Sequence, residues 1–366
     1  MRDFYQRERF LGLFPWPGQG GFCRAKTLAA GLARRGLFLA ALTERLRPKR
    51  VSLELTPRCN LKCGFCDLWA RPPYPSAFGA GDWAPLLEQI RERLPFFSVS
   101  SWVGEPLLAL DAIEEISTFC AAHGLAFSCA TNGTLLDEAA ARRLSRRPLT
   151  QLRFSMDSLS PELHDRARGV PGAHAGLMVG LKEASRRGCA RRIEISSVVL
   201  KENAGELGTL VRWAEQNSLS GVLFHPMQPR GARWRELMPG AAAAAEALDE
   251  VAELKRRGYP VRNSFGHLER MKAYYAAPLE ETEPSFCLSA VVARIRQNGD
   301  LLLCPNEPPV GNVRKDGFWG VWDSPAARAA AVRAARCRKP CGAHSCHFQP
   351  GLPERIGEFF KRETDG

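Results

Sequence analysis

The sequence predicts an α/β fold: a partial (β/α)6 barrel over residues 50–258, followed by a small cysteine-rich β-hairpin/helix domain over 259–366. Three observations carry this expectation. Six β-rich runs between Val51 and Met227 are each followed by a run with helical periodicity. The alternation stops near residue 259. Beyond it come a hairpin pattern and five cysteines between Cys287 and Cys346.

Ahead of the barrel, residues 25–46, "AKTLAAGLARRGLFLAALTERL", carry apolar residues at helical spacing with arginines opposite. They predict a helix within an N-terminal extension, 1–49, that packs onto the body of the protein. The strands follow: "VSLEL" (51–55), "FFSVSSWV" (96–103), "LAFSCAT" (125–131), "QLRFSM" (151–156), "RIEISSVVL" (192–200) and "GVLFHPM" (221–227). Helices are expected at 82–93, 109–122, 137–144, 172–187, 204–216 and 240–257. Strict alternation implies parallel strands joined by right-handed crossovers, with helices outside. In TIM-like barrels the chemistry sits on loops at the C-terminal ends of the strands. "VARIRQNGDLLLCP" (292–305) reads as a hairpin turning at "NGD", and the tail holds one short helix and a cysteine-rich loop.

Composition narrows the function. The chain has 366 residues, 45% hydrophobic and 25% charged, as in globular proteins. No apolar run is long enough for a transmembrane segment, and "MRDFYQRERF" opens no secretory signal, so a cytoplasmic location is expected. The net charge of +12 would attract anions. Its arginines, however, are spread as pairs such as Arg142-Arg143 and Arg186-Arg187, which suits solvated helix faces. No stable nucleic-acid partner is expected, because no RNA-binding module is visible.

Twelve cysteines are many for a reducing compartment, where clustered thiols read as metal or catalytic sites. "CNLKCGFC" places Cys59, Cys63 and Cys66 in a C-x3-C-x2-C pattern. Random placement of the cysteines gives roughly 0.01 such triplets. A structural zinc needs four ligands, and no fourth cysteine or histidine lies nearby. A distant fourth ligand would still close a zinc site. Iron–sulfur clusters are held by thiolates, and three thiols leave one iron open to a ligand.

"LTPRCNLKCGFC" resembles the cluster loop of the radical SAM superfamily, with the aromatic Phe65 before the last cysteine. Further similarities follow in the family's order: "WVGEP" (102–106) is similar to its GGEP motif with Val103 in place of a glycine, "TNGTLL" (131–136) to its third strand end, and "SMDSLSPELHDRARG" (155–169) to its fourth-strand segment. The resemblance implies that Cys59, Cys63 and Cys66 hold a [4Fe–4S] cluster whose fourth iron binds S-adenosylmethionine. It implies reductive cleavage of that cofactor to a 5′-deoxyadenosyl radical, which abstracts a substrate hydrogen atom. It casts Phe65, Gly104, Glu105, Asn132, Ser155 and Arg168 as cofactor-binding residues: Glu105 toward the methionine amino group, Gly104 as a close-approach backbone, Asn132 and Ser155 toward ribose or carboxylate, Arg168 toward the carboxylate. The plainer readings are a turn at Asn132-Gly133, helix caps at Ser155 and Asp157, and a surface arginine at Arg168.

The C-terminal cysteines resemble the SPASM or shorter Twitch extension. That resemblance implies one auxiliary [4Fe–4S] cluster, held by Cys287, Cys304, Cys341 and Cys346, with Cys337 spare. A zinc knot is the alternative. An auxiliary cluster suits net oxidation, so the expected reaction is oxidation, dehydrogenation or a related modification of a small metabolite, with an external one-electron donor such as flavodoxin or ferredoxin. Radical modification of a ribosomal peptide is the alternative substrate class. A non-enzymatic zinc or iron–sulfur electron-transfer protein is the alternative from another class. The loops at 70–83 and 228–240 are expected to shape the pocket, and Arg230, Arg233 and Arg235 there suit either an anionic substrate or plain solvation.

Overall fold

The computed structural model describes residues 47–229, 233–281 and 287–343. The helix expected at 25–46, Arg230 and Cys346 lie outside the described residues.

Six parallel strands run in sequence order across one sheet: β1 (Arg50–Leu53), β2 (Ser98–Ser101), β3 (Ala126–Thr131), β4 (Gln151–Ser155), β5 (Ile193–Val199) and β6 (Gly221–Pro226). Their helices are α1 (Trp83–Arg93), α2 (Leu110–Ala122), α3 (Glu138–Ser145), α4 (Pro161–Arg168), α5 (Ala173–Arg187), α6 (Leu207–Gln216), the single turn α7 (Trp234–Leu237) and α8 (Ala241–Arg256). Outward strand residues such as Val51, Leu53, Val99, Phe127, Leu152 and Phe154 are buried under the helices. α1 presents Trp83, Leu86, Leu87 and Ile90 to that layer, the i, i+3, i+4, i+7 stripe of an amphipathic helix.

Three features differ from the sequence reading. Helix α4 is additional; Ser160 caps it by accepting from Leu163 N, and Pro161 opens it. A further helix, α9 (Phe265–Ala276), follows the point where alternation was expected to stop. Its tyrosines anchor the β5 and β6 ends: Tyr275 Oη donates to Val199 O at 2.8 Å, and Tyr274 Oη donates to Met227 O at 2.6 Å.

The third difference concerns the C-terminal hairpin. β7 (Val292–Ile295) and β8 (Asp300–Leu302) form it, but β7 also pairs in parallel with β1, matching Arg50 to Val292 and Leu53 to Ile295. β9 (Gly311–Asn312) completes one nine-stranded sheet, ordered β6-β5-β4-β3-β2-β1-β7-β8-β9. The hairpin therefore shares the barrel's sheet and core instead of needing its own. Helices α10 (Val313–Trp322), broken at Gly317, and α11 (Pro325–Ala335) close this end.

Candidate cluster loop and barrel lumen

β1 ends in the loop that carries Cys59, Cys63 and Cys66, all half-buried with free thiols. Two glycines clamp it. Gly104, after β2, has φ +74° and sits so close that a Cβ would lie 2.1 Å from Thr56 O. The next amide, Glu105 N, donates to Arg58 O at 2.8 Å. On the other side Gly169 ends α4 at φ +70°, where a Cβ would lie 2.1 Å from Lys62 O. Lys62 N donates to Arg168 O at 3.1 Å and Gly64 N to Ala167 O at 3.2 Å. Only a residue without a side chain allows both approaches.

Donors point at the sulfurs. Cys59 Sγ accepts from Leu61 N at 3.5 Å and from Asn132 Nδ2 at 3.9 Å. Cys63 Sγ accepts from Arg168 Nη1 at 3.9 Å. Hydrogen bonds to cluster sulfurs tune reduction potential. Burial raises the Cys59 thiol and pushes Cys63 up to about 11, with Arg168 pulling Cys63 back. These thiols keep their protons at neutral pH until a metal displaces them. Among the described residues no three Cys, His, Asp or Glu side chains converge on a single metal-ion position. Three thiols on one clamped loop, with N–H groups aimed at sulfur, fit a cluster.

The strand-top residues are placed differently from one another. Glu105 is buried. It accepts from Thr131 Oγ1 (2.7 Å), Asn132 N (2.8 Å) and Leu107 N (3.0 Å), lacing the β2 end to the β3 end. Three protein donors thus fix the carboxylate expected to meet the ligand amino group. Asn132 Nδ2 donates to Asn60 Oδ1 at 2.8 Å, so this side chain supports the cysteine loop from below. Arg168 is buried too, paired with Asp157 at 2.8 Å and 5.5 Å over the Phe65 ring. It is not a surface arginine. The hydroxyl of Ser155, half-buried at the β4 end, has no hydrogen-bond partner among the described residues and lies beside Ser196. Asp157 and His164, which complete the Arg168 cluster, were legible only as part of the motif; Asp157 N donates to His164 Nδ1 at 3.3 Å.

Cys287, Cys304, Cys337 and Cys341 are half-buried free thiols at the hairpin end. Cys304 is raised by burial and also by its neighbours Cys287 and Cys337, while Arg294 opposes the shift. Cys337, the expected spare, thus stands among the group. Cys341 lines a cavity of about 680 Å³ that fills the barrel lumen. Barrel interiors of this kind are ordinarily packed with branched apolar side chains. Here β1, β2 and β3 present Ser52, Ser100 and Ser128 inward, too small to fill it. Arg233 and Arg235 lie elsewhere: Arg233 pairs with Glu236, and Arg235 covers Trp234. Other arginines do reach the lumen: Arg153 on β4, and Arg294 and Arg296 two residues apart on and just after β7, a period-2 signal the sequence contained.

An open parallel barrel with a three-thiol loop at its strand tops and further thiols beside its lumen has the make-up of an iron–sulfur barrel enzyme. The radical SAM superfamily model matches residues 53–214, and the SPASM iron–sulfur cluster-binding domain matches 288–347. The chain belongs to the radical SAM superfamily and carries a SPASM domain, with the [4Fe–4S] cluster, S-adenosylmethionine and auxiliary iron–sulfur cluster those domains imply. It is similar to the mycofactocin maturase MftC of Mycobacterium ulcerans, 28% identical over 312 residues, 82% of this chain and 79% of that protein. It is also similar to a probable GTP 3',8-cyclase of Aeropyrum pernix, 27% identical over 277 residues, 70% of this chain and 73% of that one. Among solved structures, Streptococcus suis SuiB bound to its precursor peptide SuiA shares the fold, with TM-score 0.61 and 18% identity over 90% of this chain and 78% of that one.

Proposed function

We propose that this radical SAM enzyme oxidatively modifies a ribosomal peptide, one side chain of which enters the barrel lumen. The observation that carries the reading is the cavity itself. It touches Leu68 and Val103, next to the cysteine loop, and Cys341 of the C-terminal group. A substrate held there lies beside both candidate iron sites. The similarity to a mycofactocin maturase supports a peptide in place of the small metabolite expected from sequence.

When bound, the cluster and S-adenosylmethionine supply the radical that takes a hydrogen atom from the substrate. The chain's own residues supply the frame. Cys59, Cys63 and Cys66 hold the cluster, clamped by Gly104 and Gly169. Asn132 and Arg168 donate toward its sulfurs. Ser155 offers an unoccupied hydroxyl at the strand tops. Cys287, Cys304 and Cys341, with Cys337 or Cys346, hold the auxiliary cluster, placing an electron acceptor at the cavity wall. An external flavodoxin or ferredoxin delivers the initiating electron.

The test is anaerobic reaction of reconstituted protein with S-adenosylmethionine and small peptides encoded beside it, followed by mass spectrometry. A peptide lighter by two hydrogens, formed by wild type and not by Cys59→Ala, is expected. Absence of 5′-deoxyadenosine under all conditions would sink the reading. A second reading, a small metabolite as whole substrate, is favoured by the cavity volume, which lies in the range of small-ligand pockets. It would show as 5′-deoxyadenosine formation that rises with a small acid and with no peptide.

A further inference from the structure

Among the described residues, the lumen is lined by seven arginine side chains and by no aspartate or glutamate. Across the β4–β6 side, three partly exposed arginines share a single carboxylate. Arg153 and Arg262 both bind Glu194, at 2.9 and 3.1 Å, and Glu194 is fully buried behind them. Arg192, one residue before β5, forms no ion pair with any described residue. The Nε atoms of Arg153 and Arg192 are buried without a hydrogen-bond partner among the described residues. Arg294 is set apart from this group, because it bonds Ser289 Oγ and Leu303 O and lies within electrostatic reach of Cys304.

Three guanidinium groups around one carboxylate leave a preorganised excess of positive charge in a walled cavity. The serines opposite contribute hydroxyls and no competing charge. Planar guanidinium groups match carboxylate and phosphate oxygens in bidentate geometry. We propose that Arg192, Arg153 and Arg262 form a subsite for an anionic group of the substrate, a carboxylate or a phosphate. The substrate enters anion-first. Register sets the depth: Arg192 lies four residues below Ser196, which pairs with Ser155 at the strand tops, a rise of about 13 Å. The anion is therefore anchored deep, and the reacting carbon is held toward the cysteine loop. This inference rests on the reading of the lumen as the substrate site.

The test is calorimetric titration of anaerobically reconstituted full-length protein with succinate, inorganic phosphate and the neutral control succinamide, at low salt and without turnover. Wild type should bind succinate or phosphate and not succinamide; the preferred anion names the head group. Arg192→Ala should weaken binding by about tenfold or more, as loss of a charge-assisted hydrogen bond does. Glu194→Gln should strengthen it several-fold, because it frees both partner arginines, a gain that a purely structural role for this wall does not produce. Arg233→Ala, an exposed loop arginine, should bind like wild type. No anion binding by wild type, or equal binding by Arg192→Ala and Glu194→Gln, overturns the subsite. Either result leaves S-adenosylmethionine cleavage free to support or reject the radical reading separately.

Discussion

Asp157 and Arg168 form a buried ion pair directly beneath the cysteine loop. Asp157 Oδ1 also accepts from Val198 N at 2.9 Å, so its position is fixed from a helix and a strand. Removing one partner of such a pair strands the other charge. Asp157→Ala should lower unfolding free energy by about 3–5 kcal/mol, read by urea denaturation. Beside the pair, His164 is buried and its pKa is lowered to about 3, chiefly by burial and then by Arg168. A base whose folded pKa is depressed stays neutral in the native state and binds a proton on unfolding. Stability should therefore fall as pH drops from about 6.5 toward 3, by up to about 1.4 kcal/mol per unit. Denaturation midpoints across that range should show the slope in wild type and a shallower one in His164→Gln. The motifs identified Glu105, Asn132 and Arg168 in the sequence, but not the direction each faces. That direction depends on Thr131, Asn60 and Asp157, partners whose approach only the folded chain establishes.

Among elements, α4 and the strand-top glycines act together as a clamp. Gly169→Ala would place a methyl group against Lys62 O and force a side chain into φ +70°. The expected outcome is a folded protein whose reconstituted iron falls from about eight per chain toward about four, through loss of the strand-top cluster alone. Circular dichroism and iron assay on the same sample separate this from unfolding. The six barrel strands were legible because each couples an apolar run to a following amphipathic helix. Helix α4 was not, since its eight residues "PELHDRAR" bury only His164 and Arg168 and offer no apolar stripe. Helix α10 was hidden by the break at Gly317. The pairing of β7 with β1 joins segments some 240 residues apart, and no local pattern announces it.

For the molecule as a whole, the lumen joins both candidate iron sites to one chamber. Changing Cys59, Cys63 and Cys66 together to alanine should remove about half of about eight irons per chain and leave the C-terminal share in place. Iron falling to near zero would mean that the C-terminal thiols hold none. The nine-stranded sheet carries a separate consequence. β1 is an interior strand only because β7 lies beside it. A barrel cut off after residue 281 would bare the β1 backbone along its length, an open template for another chain. Such a fragment should assemble edge to edge, visible as rising light scattering at concentrations where the intact protein stays clear. The auxiliary domain is then also the guard of the barrel's open seam, a duty that would persist with its iron removed.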